Sequence, residues 1–283
     1  MEFATVVTGT STVAQIAFAV LIILALIIVI STTETLVNWF TKVGNLAVDL
    51  IPNTVGATTM KRIPQNPSTS GAITLHRSDN ELSGLEFSYV TWLYVDPATF
   101  SSDPSTPQHT LKHVFHKGTN GMFPLMAPGV FVTATTNQLV IYMNSFDKWN
   151  NTITVSNLPV QKWLHLAIVA KGKTVDVYIN GNIVAHKVLA TYPKQNYGDV
   201  FFFNSQSKVL GPDNTTSPEH PRVLGPFSGS ISRARYYSYS LTFAEIRTLL
   251  SEGPSTKVDT ASQDIPPYMA DNWWVSTYTA PSA

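Results

Sequence analysis

The 283-residue chain contains no cysteine. Disulfide staples, thiolate nucleophiles and cysteine-ligated zinc are therefore excluded. Charge is scarce as well: 13% of residues are Asp, Glu, Lys or Arg, against roughly 25% in average soluble domains. Eighteen basic side chains balance eighteen acidic ones, so the formal net charge is zero. No Lys/Arg cluster is longer than Lys61-Arg62, so the basic face that nucleic-acid binding requires is missing. A surface rich in Thr, Ser, Asn and Pro fits either an extracellular habit or extensive burial against neighbours. Missing cystine leans towards a microbial, viral or intracellular-facing setting.

What the chain does have, near its start, is a long apolar run. From Val13 to Ile30 only Gln15 is polar, and no charge occurs between Glu2 and Glu34. Eighteen helical residues span about 27 Å, close to the hydrocarbon thickness of a bilayer. After a short segment 1–12, residues 13–30 are expected to form a single transmembrane helix, with Val13, Ile16, Phe18, Leu21, Leu24, Ile27 and Ile30 in contact with lipid. A cleaved signal peptide is the alternative. Against it, no Lys or Arg precedes the run, and Ser31-Thr32-Thr33-Glu34 lacks an Ala-x-Ala-like cleavage pattern. Lys42, Lys61 and Arg62 follow the run and bias the C-terminal side towards the cytoplasm. The sequons at Asn150 and Asn214 matter only if that side is lumenal.

Leu36, Trp39, Phe40, Val43, Leu46, Ala47, Leu50 and Ile51 then recur at three- and four-residue intervals. They predict an amphipathic helix over 31–51, ended by Pro52. It packs on its own domain, lies on the membrane surface or docks on a partner, with Trp39 and Phe40 as interface candidates. Residues 52–74, with Pro52, Pro64 and Pro67, read as an extended linker. Residues 253–283 form an aromatic tail without periodicity. There Trp273 and Trp274 are candidates for pinning the tail either to its own domain or to a neighbouring subunit.

Between linker and tail, residues 75–252 carry strand-like runs near 85–95, 111–116, 129–135, 138–144, 163–170, 174–179, 182–189, 200–203 and 229–238. The stretch 163–189 is the most informative. Lys171-Gly172 and Asn180-Gly181 punctuate it, and Val175, Val177 and Ile179 alternate with Thr174, Asp176 and Tyr178. Asn-Gly suits a type I′ hairpin turn, in which both central residues need positive φ. Nine strands without intervening helices predict a mainly β, two-sheet antiparallel sandwich. Thr242 and Glu245 form a capping box ahead of one short helix, which Gly253-Pro254 ends.

These residues carry a family resemblance. Phe87–Val95, His113–Gly118, Lys162–Ala167, Val175–Gly181, Gly229–Tyr236 and Leu241–Leu250 follow one another as in laminin-G-like, concanavalin A-type jelly rolls. The resemblance covers about residues 82 to 252. It implies a jelly roll, and by their size Trp92 and Trp163 supply large apolar area for the space between its sheets. It also implies a structural, hydrogen-bonded His165 in the Trp-x-His pattern. Some relatives bind calcium through loop carboxylates, for which Asp103, Asp147 and Asp213 are scattered candidates without a motif. No other cofactor is expected.

The superfamily includes glucanases, so catalysis has to be tested. A retaining glycosidase needs two carboxylates about 5 Å apart, and Glu81 and Glu86 have opposite parity on one strand. His113 and His116, three apart, are expected on opposite faces rather than as joint metal ligands. No catalytic or metal residue is assigned. Three functional readings remain. The leading one is a non-enzymatic, membrane-anchored structural or attachment protein, held between a bilayer and protein neighbours as minor capsid proteins of large DNA viruses are. The others are a lectin-like receptor for glycan or protein, and a glucanase-like enzyme.

Overall fold

The computed structural model describes residues 12–45, 47–78, 84–103, 105–107, 109–213 and 215–259, with side chains in the N-terminal helix for 15–33. The chain divides into two units, residues 1–47 and 48–283. The first contains one helix, α1 (Thr12–Asn45). It runs without a break through Ser31-Thr32-Thr33, where the expected boundary between transmembrane and amphipathic segments lay. Thr32 Oγ1 donates to the Ile28 and Val29 carbonyls, both at 2.9 Å, and Thr33 Oγ1 donates to Val29 O at 2.7 Å. These back-bonds satisfy the hydroxyls inside the helix, so the polar triplet does not end it.

The expected amphipathic helix over 31–51 is corrected at its end. Residues Ala47–Ile51 are strand β1, and the proposed linker contributes β2 (Val55–Gly56) and β3 (Lys61–Ile63). Leu50, Ile51, Val55 and Ile63 are buried in the sandwich core, so the compact domain begins well before residue 75. Apolar residues spaced three and four apart satisfy a helix, but here cross-strand pairing and burial decide the outcome.

The remaining strands are β4 (Glu86–Val95), β5 (Thr110–Gly118), β6 (Met126–Thr133), β7 (Gln138–Met143), β8 (Asn151–Ser156), β9 (Trp163–Lys171), β10 (Thr174–Ile179), β11 (Asn182–Val188), β12 (Asp199–Phe202), β13 (Ser207–Val209), β14 (Arg222–Pro226) and β15 (Gly229–Tyr237). Each of the nine expected runs is a strand. One sheet has the order β1-β15-β4-β9-β10-β11, with β2 on β15. The other has the order β13-β14-β5-β6-β7-β8, with β12 on β5 and β3 on β12. The pairings among β2 to β15 are antiparallel, except that β14 runs parallel to β5. Helix α2 (Phe243–Ser251) follows β15. Its Thr242–Glu245 capping box is formed in both directions, and Gly253 adopts φ +66° just past its end.

The hairpin reading holds in detail. Asn180 and Gly181 have φ values of +51° and +77°, as the turn type demands. Asn180 Oδ1 also accepts from the His165 backbone N–H at 2.9 Å, and its own N–H donates to His165 O at 2.9 Å. The turn is therefore tied to β9 as well as closing β10 onto β11.

The inter-sheet core is filled by different aromatics from those expected. Phe87, Tyr89, Phe115, Phe202, Phe203 and Tyr236 belong to it, and Trp92 and Trp163 do not. Odd-numbered residues of β4 (Phe87, Tyr89, Leu93 and Val95) face inwards, which sends Trp92 to the outer face. There it pairs with His165, ring centroids 5.1 Å apart. A second apolar cluster, including Met122, Met126, Phe131, Tyr142 and Leu210, forms separately from this core. Asn150, the acceptor of the first sequon, is buried, and its amide donates to Glu219 O at 3.4 Å.

Candidate functional site

The apolar residues expected to form a membrane anchor all lie on α1. Ile16, Leu21, Leu24, Ile27 and Ile30 are exposed and Phe18 is partly so, while the side chains of Val13, Trp39 and Phe40 lie outside the described ones. Gln15–Thr33 is long and apolar enough to cross a membrane, a property that signal sequences share. Trp273 and Trp274 lie outside the described residues.

The two histidines of β5 do not point apart. Register shifts at His113/Phe115 and His116/Gly118 mark bulges in the pairing with β6. The consecutive residues Val114 and Phe115 both enter the main core, and His113 and His116 meet on the opposite side. The backbone N–H of Asn204 donates to His113 Nδ1 at 3.0 Å. That fixes the proton of neutral His113 on Nε2, which donates to His116 Nδ1 at 2.7 Å. His116 Nε2–H then donates to Thr119 O at 2.8 Å. Every ring nitrogen is satisfied in a one-way chain of neutral imidazoles. Burial holds His113 well below the ordinary histidine range, the neighbouring His116 adding to the effect, and burial brings His116 down to about 4.

His165 contrasts with this pair. It is fully buried, and neither ring nitrogen has a hydrogen-bond partner, which corrects the expectation of a hydrogen-bonded ring. Burial, with a smaller contribution from the Arg235 charge, lowers it to about 4.

The loop acids are separate. Asp103 accepts from Ser105 N–H at 2.8 Å, Asp147 accepts from Ser145 and Thr191 hydroxyls, and Asp213 sits 3.1 Å from His220 Nδ1. Among the described residues, no three His, Asp or Glu side chains converge on a metal-sized site. Glu86 is buried and accepts from the Ser240 N–H and hydroxyl, and Glu81 lies outside the described residues.

Among the described residues, the sandwich carries two grooves of more than 500 Å³. One, of about 540 Å³, is lined by His109, Thr133, Thr135, Thr136, Gln138, Thr152 and Thr154, with Leu111, Val140, Tyr142, Pro218 and Pro221. Alternation along β7 and β8 brings Gln138, Val140, Tyr142, Thr152 and Thr154 to one face of the second sheet. Tyr142 stacks on Trp149 with ring centroids 6.3 Å apart. Burial pushes its phenol up to about 12.

The second groove, of about 510 Å³, is lined by Gln65, Asn66, Thr74, Leu75, His76, Arg77, Lys117, Asn196 and Tyr197. Gln65 staples its wall: Nε2 donates to Ile73 O at 2.9 Å, and Oε1 accepts from Leu75 N–H at 3.0 Å. Lys117, at the end of β5, is only 7% exposed and donates to Gly198 O at 2.6 Å. Burial lowers its amine to about 8, the Asp199 charge opposing. The Arg77 guanidinium lies 4.1 Å over the ring of Tyr197, which is 76% exposed. Among the described residues, neither groove has an Asp or Glu in its lining.

Sequence reasoning picked out neither groove. Lys117 was visible only as part of a His-Lys-Gly turn, and Arg77 and Tyr197 sit more than a hundred residues apart without a motif.

Solved structures to which the chain is similar include the binding domain of botulinum neurotoxin DC in complex with SialylT, at 13% identity and a TM-score of 0.42, covering 59% of this chain and 35% of that one. The botulinum neurotoxin type G receptor-binding domain matches at 13% identity and a TM-score of 0.41, covering 73% of this chain and 46% of that one. This chain thus spans less than half the length of either. No curated protein matches the sequence. A family profile of the laminin G type, described as the concanavalin A-like lectin/glucanases superfamily, matches residues 67–247. With the two-sheet architecture, this places the chain in the concanavalin A-like lectin/glucanases superfamily.

Proposed function

We propose that the chain is a single-pass membrane protein presenting a non-enzymatic sandwich as an attachment head. The observation that carries this reading is the apolar stretch of α1. Its side chains from Ile16 to Ile30 are largely exposed, and an apolar surface of that length is stable when lipid covers it. Among the described residues, the linings of both grooves hold no carboxylate, which supports a binding role over glycoside hydrolysis, a reaction that needs a pair of acids flanking the bond. In the fuller form of the proposal, the chain is a structural component held between an internal membrane and a protein shell, in the manner of a minor capsid protein. The absence of cysteine and the low charge fit that setting.

Alkaline carbonate extraction of expressing cells tests the anchor. The full chain stays in the membrane pellet, and a chain lacking residues 12–33 moves to the supernatant. Recovery of the full chain in the supernatant overturns the anchor. Turnover of a β-glucan by the full chain overturns the non-enzymatic part.

A lectin-like reading is favoured by the threonine-lined groove, whose hydroxyls and Gln138 suit hydrogen bonding to a neutral polyhydroxylated ligand. Retention on immobilised neutral glycans, lost on Thr152→Val plus Thr154→Val, supports it.

A further inference from the structure

The cleft around Lys117 has an unusual charge arrangement. Lys117 is nine-tenths buried, yet its ammonium has three donors and its one hydrogen bond goes to the Gly198 carbonyl. Asp199, the described acid whose charge acts on Lys117, is already engaged: Oδ2 lies 2.6 Å from Arg62 Nε, and Oδ1 accepts from Gln65 N–H at 2.9 Å. Arg77 forms no ion pair with any described residue, and its guanidinium rests face-on against the Tyr197 ring. Such stacking holds the planar fork while leaving its N–H edge free to donate. His76 and Asn66 add further polar groups to the same wall. Two cations thus line one cavity whose described walls carry no Asp or Glu, and a buried cation is costly until something compensates it.

We propose that this cleft is a binding site for a ligand bearing an oxyanion, a carboxylate, sulfate or phosphate group on a small or sugar-sized body, held between Lys117 and Arg77 with Tyr197 as its platform. The exposed Tyr197 face gives the non-ionic part of the ligand an apolar surface. The volume of about 510 Å³ admits a monosaccharide-sized group. Backbone packing positions the lysine. A Cβ on Gly198 would lie 2.3 Å from the Gly118 carbonyl oxygen, so the close approach of β5 to the segment before β12 depends on glycine at 198. That approach puts the Gly198 carbonyl where it receives Lys117. This inference is independent of the membrane anchor.

The test is calorimetric titration of the detergent-solubilised full chain with glucuronate, glucose 6-sulfate, glucose 6-phosphate and, as the neutral control, glucose. The anionic sugars bind and glucose does not, and the strongest of the three identifies the oxyanion. Arg77→Gln, at an exposed position, weakens binding about tenfold, the equivalent of one charge-assisted contact. Lys117→Met weakens it at least as much. Equal heats for glucose and the anionic sugars, unchanged affinity in Arg77→Gln, or no heat from any of the four overturns the proposal. If Lys117→Met fails to fold, Arg77→Gln and Tyr197→Ala still decide it. Membrane retention is unchanged in all of these variants, so failure here is distinct from failure of the anchor.

Discussion

The two buried histidine environments of the sandwich are built on opposite accounts of the same side chain. On β5, bulges turn His113 and His116 towards each other, and a backbone amide, two imidazoles and a carbonyl form a closed relay. On β9, the His165 ring packs at a tilt of 60° against Trp92 with both nitrogens unpaired. The first pair uses its polarity to hold three chain segments together: β5, the turn at Thr119 and the loop at Asn204. The second serves as an aromatic filler that carries an unmet hydrogen-bonding cost of about 1–3 kcal/mol. Burial alone therefore does not say what a histidine contributes; the partners of its ring nitrogens do.

The largest expected effect concerns acid. All three rings have folded-state pKa values below the ordinary 6.5. Above pH 6.5 folded and unfolded chains both carry neutral imidazoles, and the shifts have no effect. Below it the unfolded chain takes up protons that the folded chain refuses. Stability then falls by up to about 1.4 kcal/mol per pH unit for each ring. The loss levels off for His116 and His165 near pH 4, where the folded rings themselves protonate. Urea unfolding of the full chain in detergent at pH 7.5, 6 and 5 reads this slope, and a flat profile refutes it.

Next in size, His113→Ala removes the acceptor of Asn204 N–H and the donor to His116 together, and costs about 3 kcal/mol in the same assay at pH 7.5. Asn180→Ala comes third, at about 1–2 kcal/mol. It strands the His165 backbone N–H and places a residue poorly suited to φ +51° in the turn. The smallest effect sharpens the contrast most. His165→Leu changes stability at pH 7.5 by less than about 1 kcal/mol, in either direction, because no hydrogen bond is lost and the relieved cost of the unpaired nitrogens is offset by loss of the ring contact with Trp92. It also makes the protein less sensitive to acid by one ring's share. A loss as large as that of His113→Ala would mean that His165 has a partner after all.

The sequence made the sandwich legible where strands are long and alternate, and where turn chemistry is local. Asn180-Gly181 and the Thr242–Glu245 box need only their neighbours to be understood. It misled where the outcome depends on distant pairing. Leu50 and Ile51 fit a helical stripe until β15 offers β1 a place in the sheet, and the two histidines read as opposed until bulges alter the parity of β5. Trp92 was assigned to the core on size alone, although its parity with Leu93 and Val95 already placed it outside. The Lys117 cleft was illegible for another reason: its residues come from four separated segments, and none belongs to a spacing pattern.

The buried amide of Asn150 carries a consequence for the order of manufacture. An oligosaccharide transferred to that nitrogen on the emerging chain would occupy the space where it now donates to Glu219 O. At 9% exposure, the Asn150 side chain leaves little room for a glycan once the sandwich has closed, so modification at this sequon would have to precede folding and disturb the packing around Glu219.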